Sequence, residues 1–536
     1  MTDLLHDLIL DTADHSPDNL ALIHKKDSIN YAALADTVIK VAGGLTAAGL
    51  EYQERVAIYL SKRPETVAAM FATTRAGGVF VPVNPLLKAN QVVYILSDCN
   101  VRILVTTRDR FAELREHLEH CHDLKVVVLL DTDDEPAEHA GHLDILTWDT
   151  LLAQRADLDG DATIDADMAA IFYTSGSTGQ PKGVVLSHRN MVVGAKSMAG
   201  YLENRSNDRI LAVLPFSFDY GFSQLSTAFY CGATVTLMDY LFPRDVIKAV
   251  ADGAITGLAG VPPLWIQLAK LPWPDKAAKS LRYLTNSGGA MPKTALDGLR
   301  AALPGTRPFL MYGLTEAFRS TYLDPEEIDR RPDSIGKAIP NVQVMVVHED
   351  GSPCPPGEPG ELVHRGPLVS LGYWNDPAKT AERFRPAPGQ LPGITIPEIA
   401  VWSGDTVVED AEGFLTFVGR RDEMIKTSGY RVSPTEIEET IYASGQVAEA
   451  VAIGIADPAI GQSITIVAVS VDGAVTADVT TGSEEKLLDK CRQDLPNFMI
   501  PSRVEWRESL PRNANGKIDR KQLRDELQDP PLDPHR

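Results

Sequence analysis

The chain has 536 residues and a formal net charge of −22, with 44% hydrophobic and 23% charged residues. This length predicts about three to four domain-sized units with substantial apolar cores. The negative charge excludes a broad basic face for a nucleic-acid partner, so an anionic ligand would have to be held by a few local cations.

Cysteine usage and hydropathy predict a soluble cytoplasmic protein without a membrane partner. The five cysteines are widely spaced and form no Cys-x-x-Cys pair, which is typical of a reducing compartment. No run of eighteen apolar residues is present. Residues 1–14 combine leucines with acidic flanks, a pattern of an amphipathic helix and not of a signal peptide.

Over the first quarter of the chain, short apolar runs alternate with helical patterns. This order predicts a parallel sheet covered by helices. The predicted strands are 21–23, 55–60, 77–83, 101–105 and 126–130, and the predicted helices are 31–50, 65–76 and 91–97.

A group of metal-ligand residue types lies in the segment 111–122, with His117, His120, Cys121 and His122. Side chains one residue apart on a helix do not face each other. No second ligand group follows at zinc-site spacing. A solvated helix is therefore favoured over a metal site.

The stretch Tyr173–Gly183 is a loop of hydroxyls and glycines that follows the apolar strand 169–172 and ends in Pro181-Lys182-Gly183. Glycines allow backbone N–H groups to turn toward an anion, hydroxyls donate further hydrogen bonds, and lysine adds a point charge. The loop lacks the Gly-Lys-Ser/Thr ending of a Walker A motif. It predicts a phosphate-binding loop, in preference to a flexible linker.

Asp219 stands in the segment 216–222 among aromatic residues and a glycine. A charge in such surroundings is costly unless a cation pairs with it. Asp219 is also placed to cap the helix predicted for 221–230. The residue types alone leave capping and ligand binding equally open.

Two later strands end in turns suited to a flat ligand and a phosphate. The strand 281–286 leads into Ser287-Gly288-Gly289-Ala290, where the glycines permit close backbone approach. The strand 309–311 leads into Tyr312-Gly313-Leu314-Thr315-Glu316. Tyr312 could stack on a ring, Thr315 could donate to a phosphate and Glu316 could hold a magnesium ion.

From Ile335 onward the pattern changes to alternating strands and tight turns, which predicts an antiparallel, barrel-like piece. It contains Ser403-Gly404-Asp405 and ends at Gly419-Arg420-Arg421-Asp422, where a new unit begins. That unit carries a late glycine-lysine loop, 511–520, with Lys517. The proline-bearing tail from Gln528 is predicted to be disordered.

These motifs, in this order, resemble the adenylate-forming superfamily of acyl-CoA synthetases, peptide-synthetase adenylation domains and firefly-type luciferases. The resemblance covers nearly the whole chain. It implies an α/β fold with a large N-terminal core of helix-covered sheets plus the barrel-like β piece, residues 1–419. A small mobile α+β domain, residues 420–536, would follow, with its hinge at Asp422.

The resemblance also implies the chemistry: a carboxylate attacks the α-phosphorus of ATP, with Mg²⁺ present, and a thiol then takes the acyl group from the adenylate. It implies catalytic roles for Lys517, Thr315 and Glu316, the last as metal ligand, and a thiol-arm contact at Gly429. The implied acid-binding residues are Asp219, Tyr220, Phe222, Ser223 and Gly288. The implied ATP-binding residues are Thr174, Ser175, Gly176, Ser177, Thr178, Lys182, Gly289, Ala290, Met311, Tyr312, Gly313, Asp405 and Arg420.

Three positions depart mildly from the family pattern: Ser403 replaces the usual threonine, and so do Asn513 and Asn515. Lys517 is kept, so activity is expected.

Asp219 falls where the adenylation domains of peptide synthetases carry the aspartate that pairs with the α-ammonium of the substrate. The resemblance therefore favours a stand-alone amino-acid ligase, most like the L-prolyl ligases and the ligases found beside exosortase systems, that charges a separate carrier protein. The alternative is an acyl-CoA synthetase for a small carboxylic acid. A regulatory ATP-binding protein without turnover is disfavoured, because Lys517 and Glu316 are both present.

Overall fold

The computed structural model describes the chain in segments. They are residues 3–132, 143–154, 156, 163–174, 181–391, 393–420, 423–427, 430–457, 460–471, 477–495, 497–513 and 517–528.

The helices and strands of these segments follow the alternation expected from the sequence. The strands in chain order are β1 Leu20–His24, β2 Asp27–Asn30, β3 Arg55–Tyr59, β4 Val79–Pro82, β5 Val101–Thr107, β6 Val126–Leu130, β7 Asp144–Thr147, β8 Met168–Thr174, β9 Lys182–Ser187, β10 Arg209–Ala212, β11 Thr234–Leu237, β12 Gly257–Gly260, β13 Tyr283–Asn286, β14 Arg307–Tyr312, β15 Thr321–Leu323, β16 Ser334–Ala338, β17 Gln343–Val347, β18 Pro359–Arg365, β19 Gly372–Tyr373, β20 Phe384–Pro386, β21 Ile399–Glu409, β22 Leu415–Arg420, β23 Ile425–Thr427, β24 Tyr430–Val432, β25 Val447–Asp457, β26 Gly461–Ser470 and β27 Arg503–Trp506.

The α-helices in chain order are α1 Asp7–His15, α2 Tyr31–Ala47, α3 Pro64–Arg75, α4 Ala89–Asp98, α5 Arg108–Leu114, α6 Trp148–Ala153, α7 His188–Tyr201, α8 Asp219–Tyr230, α9 Pro243–Asp252, α10 Pro262–Leu268, α11 Asp275–Ser280, α12 Lys293–Ala302, α13 Pro377–Arg383, α14 Pro434–Ala443, α15 Ala477–Asp494 and α16 Arg520–Gln528. Short 3₁₀ helices cover Arg115–His120, Thr315–Ala317, Pro325–Glu327 and Asn497–Met499.

The first sheet has the order β19-β9-β8-β4-β3-β5-β6-β7 and is parallel from β8 to β7. Successive residues of β3 point to opposite faces, as the pleat of a strand requires. Val56 and Ile58 join one hydrophobic core, and Ala57 and Tyr59 join another on the other side of the sheet. The prediction of a parallel sheet with both faces covered is confirmed.

The second sheet runs β17-β18-β21-β22-β16-β15-β14-β13-β12-β10-β11-β1-β2, with β20 paired to β21. It is parallel from β14 to β1, and antiparallel from β14 through β15 to β17. The antiparallel strands expected after residue 335 are therefore present. They continue the second sheet through β15 and β16, which the sequence pattern did not indicate.

The C-terminal part, from β23 to α16, has its own sheet of the order β24-β23-β26-β25, with β27 paired to β26. Its long strand β25 alternates like β3, with Ala450 and Ala452 in one core and Val451 and Ile453 in another. The domain boundary between residues 419 and 420 stays a prediction. Within the described segments, the structure contains no helix with the length and apolar character that a bilayer crossing requires.

Of the metal-ligand residue types at 117–122, His117 and His120 lie in the 3₁₀ helix Arg115–His120, and Cys121 and His122 follow it. His117 and His120 are exposed, whereas Cys121 is buried. Among the described residues, no group of three or more His, Cys, Asp or Glu side chains is arranged to hold a metal ion.

Helix α8 lies between the two sheets, and its two faces contact different parts of the protein. Residues Asp219 to Phe229 are all buried. On one face Phe222 packs against Phe71, Phe80 and Phe172, with ring centroids 5.9, 5.2 and 5.9 Å away. These three partners come from α3, β4 and β8, so this face fixes α8 to the first sheet. Phe222 was expected to contact the acid, and its place in this core corrects that expectation.

The structure predicts that Phe222→Ala lowers the free energy of unfolding by about 3–5 kcal/mol, because a fully buried aromatic ring is replaced by a cavity. Urea denaturation followed by fluorescence measures the effect. The exposed Leu86→Ala is the control, with an expected change within about 0.5 kcal/mol. A stable Phe222→Ala protein with a raised KM for the acid would instead place Phe222 in the acid site.

Candidate active site

The lysine at the end of the glycine-rich loop pairs with the carboxylate expected to bind the metal ion. Lys182 Nζ lies 3.3 Å from Glu316 Oε1, and both side chains are mostly buried. Burial lowers the pKa of Lys182, which Glu316 only partly opposes. Burial alone would raise the pKa of Glu316, but the charge of Lys182 and other contacts outweigh it and the pKa lies below its usual value. The carboxylate of Glu316 is therefore kept in its charged form beside Lys182.

Tyr373 completes this group and was not identified from the sequence. Lys182 Nζ donates to the Tyr373 hydroxyl at 2.7 Å, and that hydroxyl donates to Glu316 Oε1 at 2.6 Å. Tyr373 reaches this position because β19 pairs antiparallel with β9, with Tyr373 opposite Val184. The only signal in the sequence was an aromatic pair, Tyr373-Trp374, after a glycine.

A second group forms where β14 meets β21 and β22. The Tyr312 hydroxyl donates to Asp405 Oδ2, and Arg420 Nε lies 3.0 Å from Asp405 Oδ1. The register of β21 and β22 places Asp405 directly opposite Arg420. Burial raises the pKa of Asp405, and the charge of Arg420 opposes that rise. Asp405 Oδ1 accepts no well-aligned hydrogen bond from the described residues, so it remains a buried acceptor able to take a ligand donor.

Arg383 is a further cation near these groups that the sequence reasoning missed. Its charge acts on the pKa values of Lys182 and Asp405. Its guanidinium lies so close to Gly404 that a Cβ there would overlap with Nη1. Gly404 also has φ +70°, a backbone conformation that favours glycine. Both the close approach of Arg383 and this φ angle therefore favour glycine at the centre of Ser403-Gly404-Asp405.

Asp219 does not cap helix α8, and a cation of the protein pairs with its carboxylate. It is the first residue of α8, and it makes no side-chain cap to that helix. Its Oδ2 accepts from Arg319 Nη1 at 2.8 Å and its Oδ1 accepts from Thr315 Oγ1 at 3.0 Å. The capping alternative is therefore wrong. The cation that pairs with this charge is Arg319, supplied by the protein itself, and ligand binding by Asp219 stays a prediction.

Arg319 is held in place by several contacts. Its side chain is 3% exposed, as is that of Asp219. Nη2 donates to Ser223 Oγ at 3.1 Å, Nη1 also donates to the Phe318 carbonyl at 2.6 Å, and Cζ lies 4.8 Å from the centre of the Tyr220 ring. The turn before it is tight, since Phe318 has φ +52°. The signal missed in the sequence was an arginine three residues after Glu316.

A small cavity of about 20 Å³ lies beside this ion pair. The second face of α8 lines it, with Tyr220, Ser223, Gln224 and Thr227 at helical spacing. The opposite wall includes Gly257 and Tyr283, and a Cβ on Gly257 would collide with the Tyr283 hydroxyl oxygen. The expected acid-site residues Tyr220 and Ser223 thus face one cavity, whereas Phe222 lies on the other side of the helix.

Lys517 reaches the same region from the C-terminal part of the chain. A Cβ on Gly288, which has φ +82°, would lie 3.3 Å from Lys517 Cε, and Nζ lies 5.6 Å from the ring centre of Phe218. Lys517 as a whole is exposed, but the atoms packed around its Nζ lower its pKa by desolvation. Asp219 is the strongest of the charges that act on Lys517, and it opposes that fall.

The remaining expected residues are placed as follows. Gly289 and Ala290 are exposed, beside Gly288, and Gly313 lies next to the Arg319 backbone. The Met311 side chain accepts a hydrogen bond from Tyr201 at 3.0 Å in the core, so only its backbone could meet a ligand beside Tyr312. Thr174 ends β8. Outside the described residues lie Ser175, Gly176, Ser177, Thr178, Asp422 and Gly429.

Together these groups surround the carboxyl ends of β12, β13 and β14, where α/β sheets bind ligands. The cations Lys182, Arg420 and Lys517 can meet negative charge that develops between them. Asp405 and Tyr312 offer an acceptor and a ring to a polar, flat ligand.

Family models match both parts of the chain. A model described as AMP-binding enzyme matches residues 9–374, and one described as AMP-binding enzyme C-terminal domain matches residues 436–517.

Several curated proteins are similar over nearly the whole chain. Two components of the linear gramicidin synthase of Brevibacillus parabrevis are 29% and 30% identical over 97% of this chain, which spans only 10% and 6% of those larger proteins. The L-proline–[L-prolyl-carrier protein] ligase of Pseudomonas fluorescens is 31% identical over 96% of this chain and 98% of its own. The feruloyl-CoA synthase of an Amycolatopsis species is 30% identical over 95% and 96%.

Solved structures agree with these relatives. ATP-bound MatB from Rhodopseudomonas palustris matches with a TM-score of 0.83 and 27% identity over 99% of both chains. The o-succinylbenzoate coenzyme A synthetase MenE from Bacillus subtilis, in complex with ATP and magnesium ion, matches with a TM-score of 0.80 and 25% identity over 98% and 99%. With a family model that covers well over half of its length, the chain belongs to the AMP-binding enzyme family.

Proposed function

We propose that this protein is an ATP-dependent, AMP-forming ligase that adenylates an amino acid, L-proline or a similar small one, and transfers it to the phosphopantetheine thiol of a separate carrier protein. The observation that carries the proposal is the meeting of Lys517 with the Asp219 region. Lys517 lies beside Gly288 and the Phe218 ring, and the charge of the buried Asp219 carboxylate on α8 acts on it.

The residues present fit ATP and Mg²⁺. Asp405 Oδ1, which accepts no well-aligned hydrogen bond from the described residues, suits the vicinal hydroxyls of ribose, and Tyr312 and Gly289 suit the adenine ring. Lys182 suits the β- and γ-phosphates, with Arg420 beside ribose or phosphate. Glu316 is an oxygen donor of the kind that Mg²⁺ takes, and the ion, when bound, would neutralise phosphate charge.

The reaction has two steps. In the first, a carboxylate oxygen of the acid attacks the α-phosphorus, an O–P bond forms, and the bond to pyrophosphate breaks. Lys517 and Thr315 would hold the charge that shifts between the carboxylate and the α-phosphate. In the second, the sulfur of the thiol attacks the acyl carbon, the bond to the phosphate oxygen breaks, AMP leaves, and the thiol proton passes to solvent.

An amino acid is proposed because the Asp219 carboxylate and the Lys517 cation lie in one region, where a zwitterion would place its ammonium at the first and its carboxylate at the second. The prolyl-carrier ligase similarity supports this choice. A second candidate is an acyl-CoA synthetase for a small carboxylic acid. It is favoured by Arg319, which already neutralises Asp219, and by the feruloyl-CoA synthase similarity.

Pyrophosphate exchange tests the proposal directly. Wild-type protein is assayed for ATP–pyrophosphate exchange with a panel of amino acids and simple carboxylic acids, and the activated acid is then offered to coenzyme A and to a phosphopantetheinylated carrier protein. Exchange with plain acids alone, followed by transfer to coenzyme A, would select the second candidate. Absence of exchange with every acid would indicate a regulatory ATP-binding protein.

The first prediction concerns Asp219 and the matched pair proline and cyclopentanecarboxylate. Asp219→Ala is expected to raise the KM for proline by an amount equivalent to roughly 2–5 kcal/mol, because the ammonium loses its carboxylate. Asp219→Asn, which keeps the size of the side chain and an acceptor for Thr315, controls for the stability lost when Arg319 is left unpaired. Unchanged discrimination between the two acids in both variants would remove Asp219 from substrate binding.

The second prediction is that Lys517→Ala loses adenylation by roughly 10²- to 10³-fold or more, because one fixed cation disappears from the transition state. Pyrophosphate exchange measures this loss, and thiolation from synthetic acyl-adenylate should survive. Lys521→Ala, an exposed lysine on the adjacent helix α16, is the matched control. Exchange at the wild-type rate in Lys517→Ala would show that another group performs this role.

The third prediction concerns the proposed hinge. Asp422→Pro is expected to keep pyrophosphate exchange and lose thioester formation, because proline fixes the φ torsion that a swinging domain would have to change. Separate assays of the two half-reactions measure it. Equal loss of both would indicate misfolding and no hinge at this position.

A further inference from the structure

The acid site contains a cation that its expected chemistry does not require. Arg319 occupies Asp219 Oδ2 at 2.8 Å, and the pair is almost completely buried. The charge of Asp219 also acts on Lys517, the cation of the C-terminal loop. In the proposed acid site, the substrate's ammonium would lie at Asp219 and its carboxylate at Lys517.

We propose that Arg319 is a specificity-determining residue, an internal counterion that competes with the substrate's ammonium group for Asp219. The inference rests on the proposed acid site at Asp219. It does not depend on which acid the wild-type protein prefers.

The competition follows from the chemistry of the carboxylate. An ionised carboxylate has about four acceptor positions, and here Thr315 and Arg319 take one on each oxygen. A substrate ammonium could still bind at a remaining position. It would then share one negative charge with a guanidinium in a poorly solvated site, so part of its attraction to Asp219 would be offset by repulsion from Arg319.

Arg319 also makes the empty site stable. A buried carboxylate without a partner is costly, and the guanidinium removes that cost before any substrate arrives. The Arg319 side chain is itself fixed by Ser223 Oγ, the Phe318 carbonyl and the Tyr220 ring. Such an arrangement weakens the selectivity for an acid that carries an ammonium group. In return, it stabilises the protein before the substrate binds.

Replacing Arg319 with a neutral residue should therefore have two linked effects. The unliganded protein becomes less stable, because Asp219 loses its partner. A bound ammonium then restores the missing partner of Asp219. Binding an amino acid therefore stabilises the variant more than it stabilises the wild type. An acid without an ammonium restores nothing.

The experiment compares wild type with Arg319→Met, which removes the charge but keeps an unbranched side chain of similar length. The measurement is the ratio of kcat/KM for proline to kcat/KM for cyclopentanecarboxylate in pyrophosphate exchange. We expect this ratio to rise at least about tenfold in Arg319→Met. Thermal unfolding supplies the same comparison without turnover, since proline should raise the Tm of the variant more than that of wild type.

Two further variants separate the effect of the charge at position 319 from the effect of lost stability. Arg319→Lys keeps a cation, and its ratio should stay within about threefold of the wild-type value. Arg331→Met removes a different, mostly buried arginine, which pairs with Asp410 at 2.6 Å. Neither residue lines the cavity beside α8, so the variant should lose stability without a change in the ratio.

The outcomes are distinct. An unchanged or lower ratio in folded Arg319→Met overturns the inference, whichever acid the wild type prefers. Should that variant fail to fold, Arg319→Gln, which keeps a donor for Asp219, gives the same test with the same expected direction. A wild-type protein that ignores every amino acid refutes the proposed function, while a raised ratio in the variant would still support the role of Arg319.

Discussion

The buried ion pair between Arg319 and Asp219 is the constraint around which the acid site is arranged. It joins the first turn of α8 to the turn after β14, two elements 100 residues apart in the chain. Through Thr315 it also reaches the motif that carries Glu316, and through Ser223 it reaches the cavity wall. One interaction thus fixes the distance between the groups that would hold the phosphate and the groups that would hold the acid.

The same solution recurs at the other buried charges. Lys182 is paired with Glu316, and Asp405 with Arg420, so each of these charged groups has a protein partner before ligands bind. Removing a charge from water is costly, and pairing within the protein offsets much of that cost. The site is therefore preorganised. A ligand would replace a partner that already holds the charged side chain in position, and the side chains would not have to rearrange when it binds.

Much of this could be predicted from the sequence, for identifiable reasons. Short apolar runs revealed the parallel strands because buried strands need continuous apolar residues. The motifs around Lys182, Glu316, Asp405 and Lys517 occur in a recognisable order. The partners Arg319, Tyr373 and Arg383 could not be predicted, because pairing of distant residues depends on strand register and helix position. Asp219 illustrates this limit. Its aromatic neighbours indicated that a charge buried there would need a cationic partner. They did not indicate that the partner is Arg319, because only the fold determines where that side chain points. The two faces of α8 were hidden for another reason: the sequence shows Ser223, Gln224 and Thr227 at helical spacing, but it does not show that this buried face lines a cavity.

The cavity beside α8 shows how such a protein can change its range of substrates. Its size is determined by side chains, chiefly the Tyr220 and Tyr283 rings, and the absence of a side chain at Gly257 is what leaves room for the Tyr283 hydroxyl. The ion pair, the strand register and the nucleotide groups lie outside this wall. A smaller residue at Tyr283 would therefore lengthen the pocket while the charged framework stayed in place, whereas one at Tyr220 would also remove a ring that supports Arg319. At Tyr283, acid size is adjustable separately from acid charge, and divergence among relatives can change the one without disturbing the other.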